Sequence, residues 1–273
     1  ENISFDRTFN PLTMHAYTLD ITCEGLLELA QLTDRPVWKA HVIRVAERRG
    51  IVAGSTVPYQ GQPLACVTYA LYETTGDRAW LAARYDALKP KLLLDRARPD
   101  GLLVSGEPQR TREDIVDWPA GERDGFVFTP VNAVVNAFHV RALSLMSELA
   151  GAVGRTAEAE DYRVRERRAR EAFNRVLFDS VRGVYRDGEG TDHASLHASL
   201  FPLAFGLVPA GHAPRVAGWL VQRGMACSVY AAQYLMEGLF EHGDSAQALG
   251  LMTAAGDRSW RHMVESGTTI TWE

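Results

Sequence analysis

Cysteine is scarce in this 273-residue chain. Cys23, Cys66 and Cys227 lie far apart and form no Cys-x-x-Cys pair, which argues against a disulfide framework and against a structural zinc. Surplus positive charge is also missing: 29 Lys and Arg stand against 34 Asp and Glu, a formal net charge of -5. A surface that holds nucleic acid or an anionic membrane needs excess Lys and Arg, so neither partner is expected. No apolar run approaches the ~18 residues that span a bilayer. There is no Gly-x-Ser-x-Gly elbow and no Gly-rich phosphate loop, so nothing points to a serine hydrolase or a nucleotide enzyme, and no cofactor is implied. The chain starts at Glu1 with neither an initiator Met nor a signal peptide, and it ends on Thr-Ile-Thr-Trp-Glu. We expect a fragment or processed piece, with its compartment and oligomeric state left open.

Strand signals are few as well. Only residues 101–104 and 183–185 look like short extended pieces, so a parallel sheet is not expected. What is present is helical periodicity. Apolar stripes recur over residues 26–32, 37–49, 66–75, 79–94, 131–153, 158–178, 194–205, 214–222, 228–241 and 245–253. They are punctuated by Gly50, Gly76-Asp77, Gly154 and Pro36, residues that end helices. About ten helices joined alternately by short turns and longer loops suggest a toroid of helical hairpins with its site among the loops. A plain helical solenoid is the alternative, and helix counting does not separate the two; no fixed repeat is visible, which counts against the solenoid. A single domain over residues 1–273 is expected.

The longest stretch without helical character is residues 98–128, rich in both acids and aromatics. Structureless loops of this length are usually functional or disordered. Its centre reads Asp117-Trp118-Pro-Ala-Gly-Glu122-Arg123-Asp124-Gly-Phe. Carboxylates grip hydroxyls through charge-assisted hydrogen bonds. A carboxyl desolvated against an aromatic can serve as a general acid. That combination suits a sugar site, although a solvated acidic loop would read the same way. The end of the chain supplies a second group, from Ser259-Trp260 to Gly267-Thr-Thr-Ile-Thr-Trp272-Glu273.

Together these segments resemble the catalytic region of the α-L-rhamnosidases, glycoside hydrolase family 78. The match is to a branch with Asp-Trp-Pro…Glu-Arg-Asp-Gly where other members carry Cys-Pro. It continues through Phe128-Thr-Pro-Val-Asn132, Val135-Asn136-Ala-Phe138, Asp192-His193-Ala-Ser-Leu-His197, Phe205-Gly-Leu-Val-Pro209 and Arg223 to Tyr230, covering roughly residues 78–273. The resemblance implies an all-α (α/α)6 barrel of helical hairpins, incomplete at its C-terminus, and hydrolysis of terminal α-L-rhamnose with inversion. It places the general acid on Glu122, the general base on Glu273, and a rhamnose-binding acid on Asp117, with Arg123 beside the acid. In an inverting enzyme the two carboxyls stand roughly 6.5–9.5 Å apart around a water. Three departures are visible. Thr129 occupies the position, seven residues after the acid, where members commonly carry a further acid, for which Asp124 is a candidate replacement. The family continues past Glu273 into a helix with a substrate-contacting His. The first ~75 residues match less well and are similar to other helical-barrel carbohydrate enzymes.

Other candidates for the sugar site are Trp118, Phe128, Asn132, His193, His197, Trp260 and Trp272. Asn132 and Asn136 share a helix face and need partners, either loop backbone or pocket. His193 and His197, at i and i+4, would share a helix face that could hold zinc, but Ala194 stands where the zincin pattern needs Glu, so no metal is expected. Asp192 would be the N-cap of their helix. Tyr230 and Tyr234 read as core, and the Arg-rich run 163–170 as a solvated face. Two readings stand beside the rhamnosidase: another (α/α)-barrel carbohydrate hydrolase or lyase, and a non-catalytic sugar-binding module.

Overall fold

The computed structural model describes residue 72 and residues 76–268, apart from 113, 243 and 244. The helices expected over residues 26–32, 37–49 and 66–75 lie outside the described residues, save residue 72. The described residues are mainly α-helical. By contact they divide into two compact units, one holding the described residues up to Leu93 together with Ala142–Arg163, the other Leu94–Arg141 and the described residues from Val164 onward. No described helix is long and apolar enough to cross a membrane.

In the first unit, α1 (Arg78–Ala82) opens on Asp77, whose carboxylate accepts the Trp80 N–H at 2.8 Å, the usual way an N-cap satisfies an orphan donor. The stripe over 79–94 was expected to form one helix. It breaks instead into α1, α2 (Tyr85–Leu88) and a 3-10 turn at Lys89–Leu92. Pro90, which has no N–H to donate and whose ring crowds the preceding turn, sits at the start of that turn. Leu81, Tyr85, Leu88 and Leu92 are buried with Leu143, Met146, Leu149 and Tyr162. The Tyr85 hydroxyl donates to Glu158 at 3.1 Å, and Lys89 and Arg155 lie 5.1 and 4.9 Å from its ring centre. Lys89 and Arg155 also pair with Asp86 and Glu158. These pairs hold both carboxyls below their ordinary range, Lys89 being the main cause.

The second unit begins with a tight reversal at Pro99-Asp100-Gly101. Arg98 N–H donates to Leu102 O and Gly101 N–H to Arg98 O, both at 2.8 Å, and Ala97 bridges Leu103. Gly101 has φ +93°, and a Cβ there would lie 3.1 Å from Ala169, so both conformation and space call for glycine. Residues 98–128 were expected to lack helix. They contain α3 (Glu107–Arg112) and a 3-10 turn at Ala120–Glu122. Then follow α4 (Ala133–Ala152) and α5 (Thr156–Leu177), of which Ala142–Arg163 belongs to the first unit; both are close to expectation. The expected extended piece at 183–185 is half of a small antiparallel hairpin, β1 (Phe178–Asp179) with β2 (Val184–Tyr185).

Three further helices enclose the core of this unit: α6 (Leu196–Ala204), α7 (Ala213–Arg223) and α8 (Val229–His242). Phe138 of α4, Phe201 and Phe205 at α6, and Tyr234 of α8 stack with ring centres 4.9–6.0 Å apart, the edge-on and tilted contacts aromatic rings prefer. Tyr234 thus belongs to the core, as its spacing suggests, and Tyr230 is half-buried. Helices α6 and α8 come close enough that a Cβ on Gly238 would lie 3.0 Å from Ala204 N. The chain continues into α9 (Ser245–Met252) and α10 (Trp260–Glu265). The Arg-rich face of α5 is largely solvated, but two of its arginines also tie down loops: Arg168 donates to Pro99 O and Arg170 to Gly206 O.

Candidate active site

The site is built on the loop from Asp117 to Phe128. Asp117 is fully buried. Its Oδ1 accepts the Trp118 N–H at 2.8 Å and the Ser228 hydroxyl. Its Oδ2 accepts the Ser228 N–H at 2.9 Å and His197 Nε2–H at 2.7 Å. Four donors fill the acceptor positions of one carboxylate. The expectation for Asp117 was direct contact with sugar hydroxyls; in this geometry it is an anchor, joining the loop to α6 and to the start of α8. The Trp118–Pro119 peptide is cis.

Asp124 is a second anchor. Its carboxylate accepts the Leu196 N–H at 2.7 Å, at the open N-terminal end of α6, and the Arg223 Nε–H at 2.9 Å. Negative charge at a helix start meets both the free N–H groups and the positive end of the helix dipole. Arg123 donates from Nε to Asp117 O at 2.8 Å and lies 5.6 Å from the Phe128 ring centre, which itself stands edge-on to Phe126.

The loop's remaining carboxylate behaves differently. Among the described residues, no backbone N–H donates to Glu122. Its partner is the Arg258 guanidinium, which pairs with Oε2 and reaches Oε1 at 3.4 Å. The Glu122 side chain keeps 16% of its surface exposed. Trp118, four residues earlier in the loop, is 46% exposed.

His193 and His197 were expected on one helix face. The helix starts later, at Leu196, with Ser195 as N-cap accepting the Ala198 N–H. The cap is therefore Ser195, not Asp192, whose side chain is almost fully exposed. A Ser in extended conformation offers its oxygen to the first turn; Asp192 is too far upstream to reach it. His193 lies in the preceding loop and donates from Nδ1 to Asp187 Oδ2 at 2.5 Å, and 39% of its side chain is exposed. Asp187 is buried and also accepts the Val127 N–H at 2.8 Å and the Ser195 N–H at 2.7 Å. His197 is fully buried against Asp117.

Asn132 and Asn136 are buried and clasp loop groups rather than standing open. Asn136 accepts the Leu103 N–H at 2.7 Å and donates to Leu103 O, while Asn132 donates to Asp114 at 2.9 Å and accepts the Val135 N–H. Thr129, at the position of the departed acid, donates to Val131 O at 2.9 Å. A Cβ on Gly188 would stand 2.0 Å from its hydroxyl, so Thr129 fills the space that Gly188 leaves open. Trp260 is half-buried at the first position of α10, behind the buried cap Ser259. Trp272 and Glu273 lie outside the described residues.

Of the residues expected at the site, Trp118, Glu122, Arg123, Phe128, His193 and Trp260 keep exposed surface. Asp117, Asn132 and His197 are buried supports, and Asp124 nearly so. Sequence reading missed Asp187 and Arg258, and it quoted Arg223 and Ser228 only as part of a family motif, without a role. Three of them act across a long separation in the chain: 111 residues between Asp117 and Ser228, 99 between Asp124 and Arg223, 136 between Glu122 and Arg258. The Asp187 signal was available in principle, as an acid just past a two-residue strand and six residues before His193.

Comparison with known proteins agrees with this fold. The family described as the bacterial α-L-rhamnosidase six-hairpin glycosidase domain matches residues 44–273. Among solved structures, the family 78 rhamnosidase of Bacillus sp. GL1 superposes with TM-score 0.66 at 23% identity, covering 80% of this chain and 23% of that one. A Klebsiella oxytoca rhamnosidase with rhamnose bound gives 0.67 at 17% identity, over 80% of this chain and 40% of that one. The Streptomyces avermitilis α-L-rhamnosidase complexed with L-rhamnose gives 0.60 at 22%, over 78% and 19%. At these identities the likeness is one of fold, and the chain spans only 19–40% of the length of those three proteins. The curated proteins contain no match.

Proposed function

The chain belongs to the bacterial α-L-rhamnosidase six-hairpin glycosidase family, and from that premise we propose that it hydrolyses terminal α-L-rhamnosides with inversion. Glu122 is the general acid and Glu273 the general base, within a toroid of helical hairpins. The observation that carries the acid assignment is the division of labour in the loop. Asp117 and Asp124 spend their oxygens on backbone N–H groups, side-chain donors and a helix end. Among the described residues Glu122 takes only a side-chain partner, and it keeps open surface. In the reaction the glycosidic C–O bond breaks as the Glu122 proton passes to the leaving oxygen. A water deprotonated by Glu273 forms the new bond to the anomeric carbon from the opposite face. The open face of Trp118, with Phe128 and Trp260, suits the apolar C–H side of the sugar, and Arg123 and His193 suit its hydroxyls.

Turnover of p-nitrophenyl α-L-rhamnoside by the wild type, Glu122→Gln and Glu273→Gln tests this. Both variants should lose most activity while still binding rhamnose. Full activity in Glu122→Gln would remove the acid assignment.

One observation favours a second reading. Asp187 and His193 form a buried-acid and half-exposed-imidazole pair, an arrangement that suits a general base. A lyase acting on a uronic-acid polymer would use such a base and release an unsaturated sugar that absorbs ultraviolet light. Appearance of that absorbance, lost in His193→Ala, would favour this reading over the first.

A further inference from the structure

We infer that Arg258 is a positioning residue for Glu122. Its guanidinium, fixed on two backbone carbonyls, holds Oε2 and leaves Oε1 as the oxygen that delivers a proton to the leaving group. The inference rests on the assignment of Glu122 as the acid.

Three observations carry it. First, the guanidinium is fixed independently of Glu122. Arg258 donates from Nε to Met225 O at 2.6 Å and from Nη2 to Cys227 O at 2.9 Å. An ordinary surface ion pair contributes little because two long side chains must be ordered to make it. Here much of that ordering is done by the carbonyls. Second, both ends of the clamp are anchored. Met225 and Cys227 are buried, and the next residue, Ser228, is locked onto Asp117 through its N–H and hydroxyl. On the other side Ser259 is buried, donates to Ala254 O at 2.6 Å and caps α10 through the His262 N–H. A continuous path thus runs from Asp117 through Ser228, the Cys227 carbonyl and Arg258 to Glu122. The covalent loop 117–122 closes it into a ring. Third, the grip on the carboxyl is unequal. Nη2 pairs with Oε2, whereas Nη1 reaches Oε1 only at 3.4 Å, the long end of a hydrogen bond. A planar guanidinium held on two backbone carbonyls restricts the rotation of the carboxyl it grips, which fixes where the second oxygen points. Proton transfer is sensitive to that direction.

The test uses leaving groups. A 2,4-dinitrophenyl rhamnoside departs without help, because its phenolate is stable; an alkyl rhamnoside needs a proton. A residue that only supports the fold would affect both substrates alike. Arg258→Met should lower kcat on the alkyl substrate by roughly 10- to 100-fold, a part of what a general acid contributes, and change the dinitrophenyl substrate by less than about threefold. KM should move little for either. Arg258→Lys, which keeps the charge without the fork, should recover only part of the loss and guards against a folding failure in the first variant. Equal loss on both substrates, or no loss on either, would overturn the inference. Glu122→Gln is assayed alongside. If it lacks the same leaving-group dependence, or if the wild type cleaves neither substrate, the parent assignment of Glu122 fails and this inference with it.

Discussion

Replacing Asp117 with Asn should destabilise the protein far more than a change of one atom suggests. The carboxylate receives four donors: two backbone N–H groups, the Ser228 hydroxyl and the His197 imidazole. An Asn side chain keeps one acceptor oxygen and presents an NH2 group in place of the other. The NH2 would then face donors, two of which lose their acceptor. A buried donor left unpaired costs about 1–3 kcal/mol, so the change should cost ~2–6 kcal/mol. That is a large share of the 5–15 kcal/mol typical of a folded domain, and it translates into a fall of roughly 5–15 °C in unfolding midpoint for a protein of this size. Thermal unfolding followed by circular dichroism measures it. Glu122→Gln, which leaves its half-exposed partner Arg258 on the Met225 and Cys227 carbonyls, serves as the comparison and should shift the midpoint by no more than a few degrees. A midpoint within about 2 °C of wild type in Asp117→Asn would refute the view of Asp117 as a buried anchor and return it to the open sugar-binding role.

Gly188→Ala would place a Cβ 2.0 Å from Thr129 Oγ1 and 2.6 Å from Val131 O; because one obstacle is backbone, the cost should be about 1–3 kcal/mol, and Thr129→Ala should relieve part of it in the double variant. Asp100 is held below its ordinary carboxyl range chiefly by the Arg98 guanidinium. A lowered folded-state value means that its contribution is present above the unfolded value and fades as pH falls through the folded one. Arg98→Met should therefore cost at most about 1 kcal/mol at pH 7, since the pair is partly solvated, and the gap to wild type in urea midpoint should close on acidification; a gap independent of pH would count against this. Burial pushes the Cys227 thiol well above its usual range, so alkylation at Cys227, mapped by mass spectrometry, should be slow in the native protein and fast in urea.

The sequence made the long helices legible because their apolar spacing is local. The stripe at 131–153 became α4 (Ala133–Ala152), and that at 158–178 became α5 (Thr156–Leu177), each within two residues or so. It misled where a local rule was outweighed. Pro90 ended α2 within the 79–94 stripe, which was already interrupted at Ala83-Arg84. Ser195 took the cap that Asp192 was expected to supply, and with it moved His193 out of the helix. Acid-rich residues 98–128 stood out by composition, but composition could not rank their carboxylates. Which acid is an anchor and which stays open depends on Ser228, His197, Leu196, Arg223 and Arg258, all supplied from more than 70 residues away. The pairing of Asn136 with Leu103, by contrast, was foreshadowed: two amides on one face of an apolar helix demand partners, and one of the two kinds considered was loop backbone.

The most direct test of inverting hydrolysis with Glu122 as the acid is proton nuclear magnetic resonance of the first sugar released from p-nitrophenyl α-L-rhamnoside, read before mutarotation. The account predicts β-L-rhamnose first, with its rate of appearance abolished in Glu122→Gln. Release of the α-anomer first, or undiminished release by the variant, would contradict it.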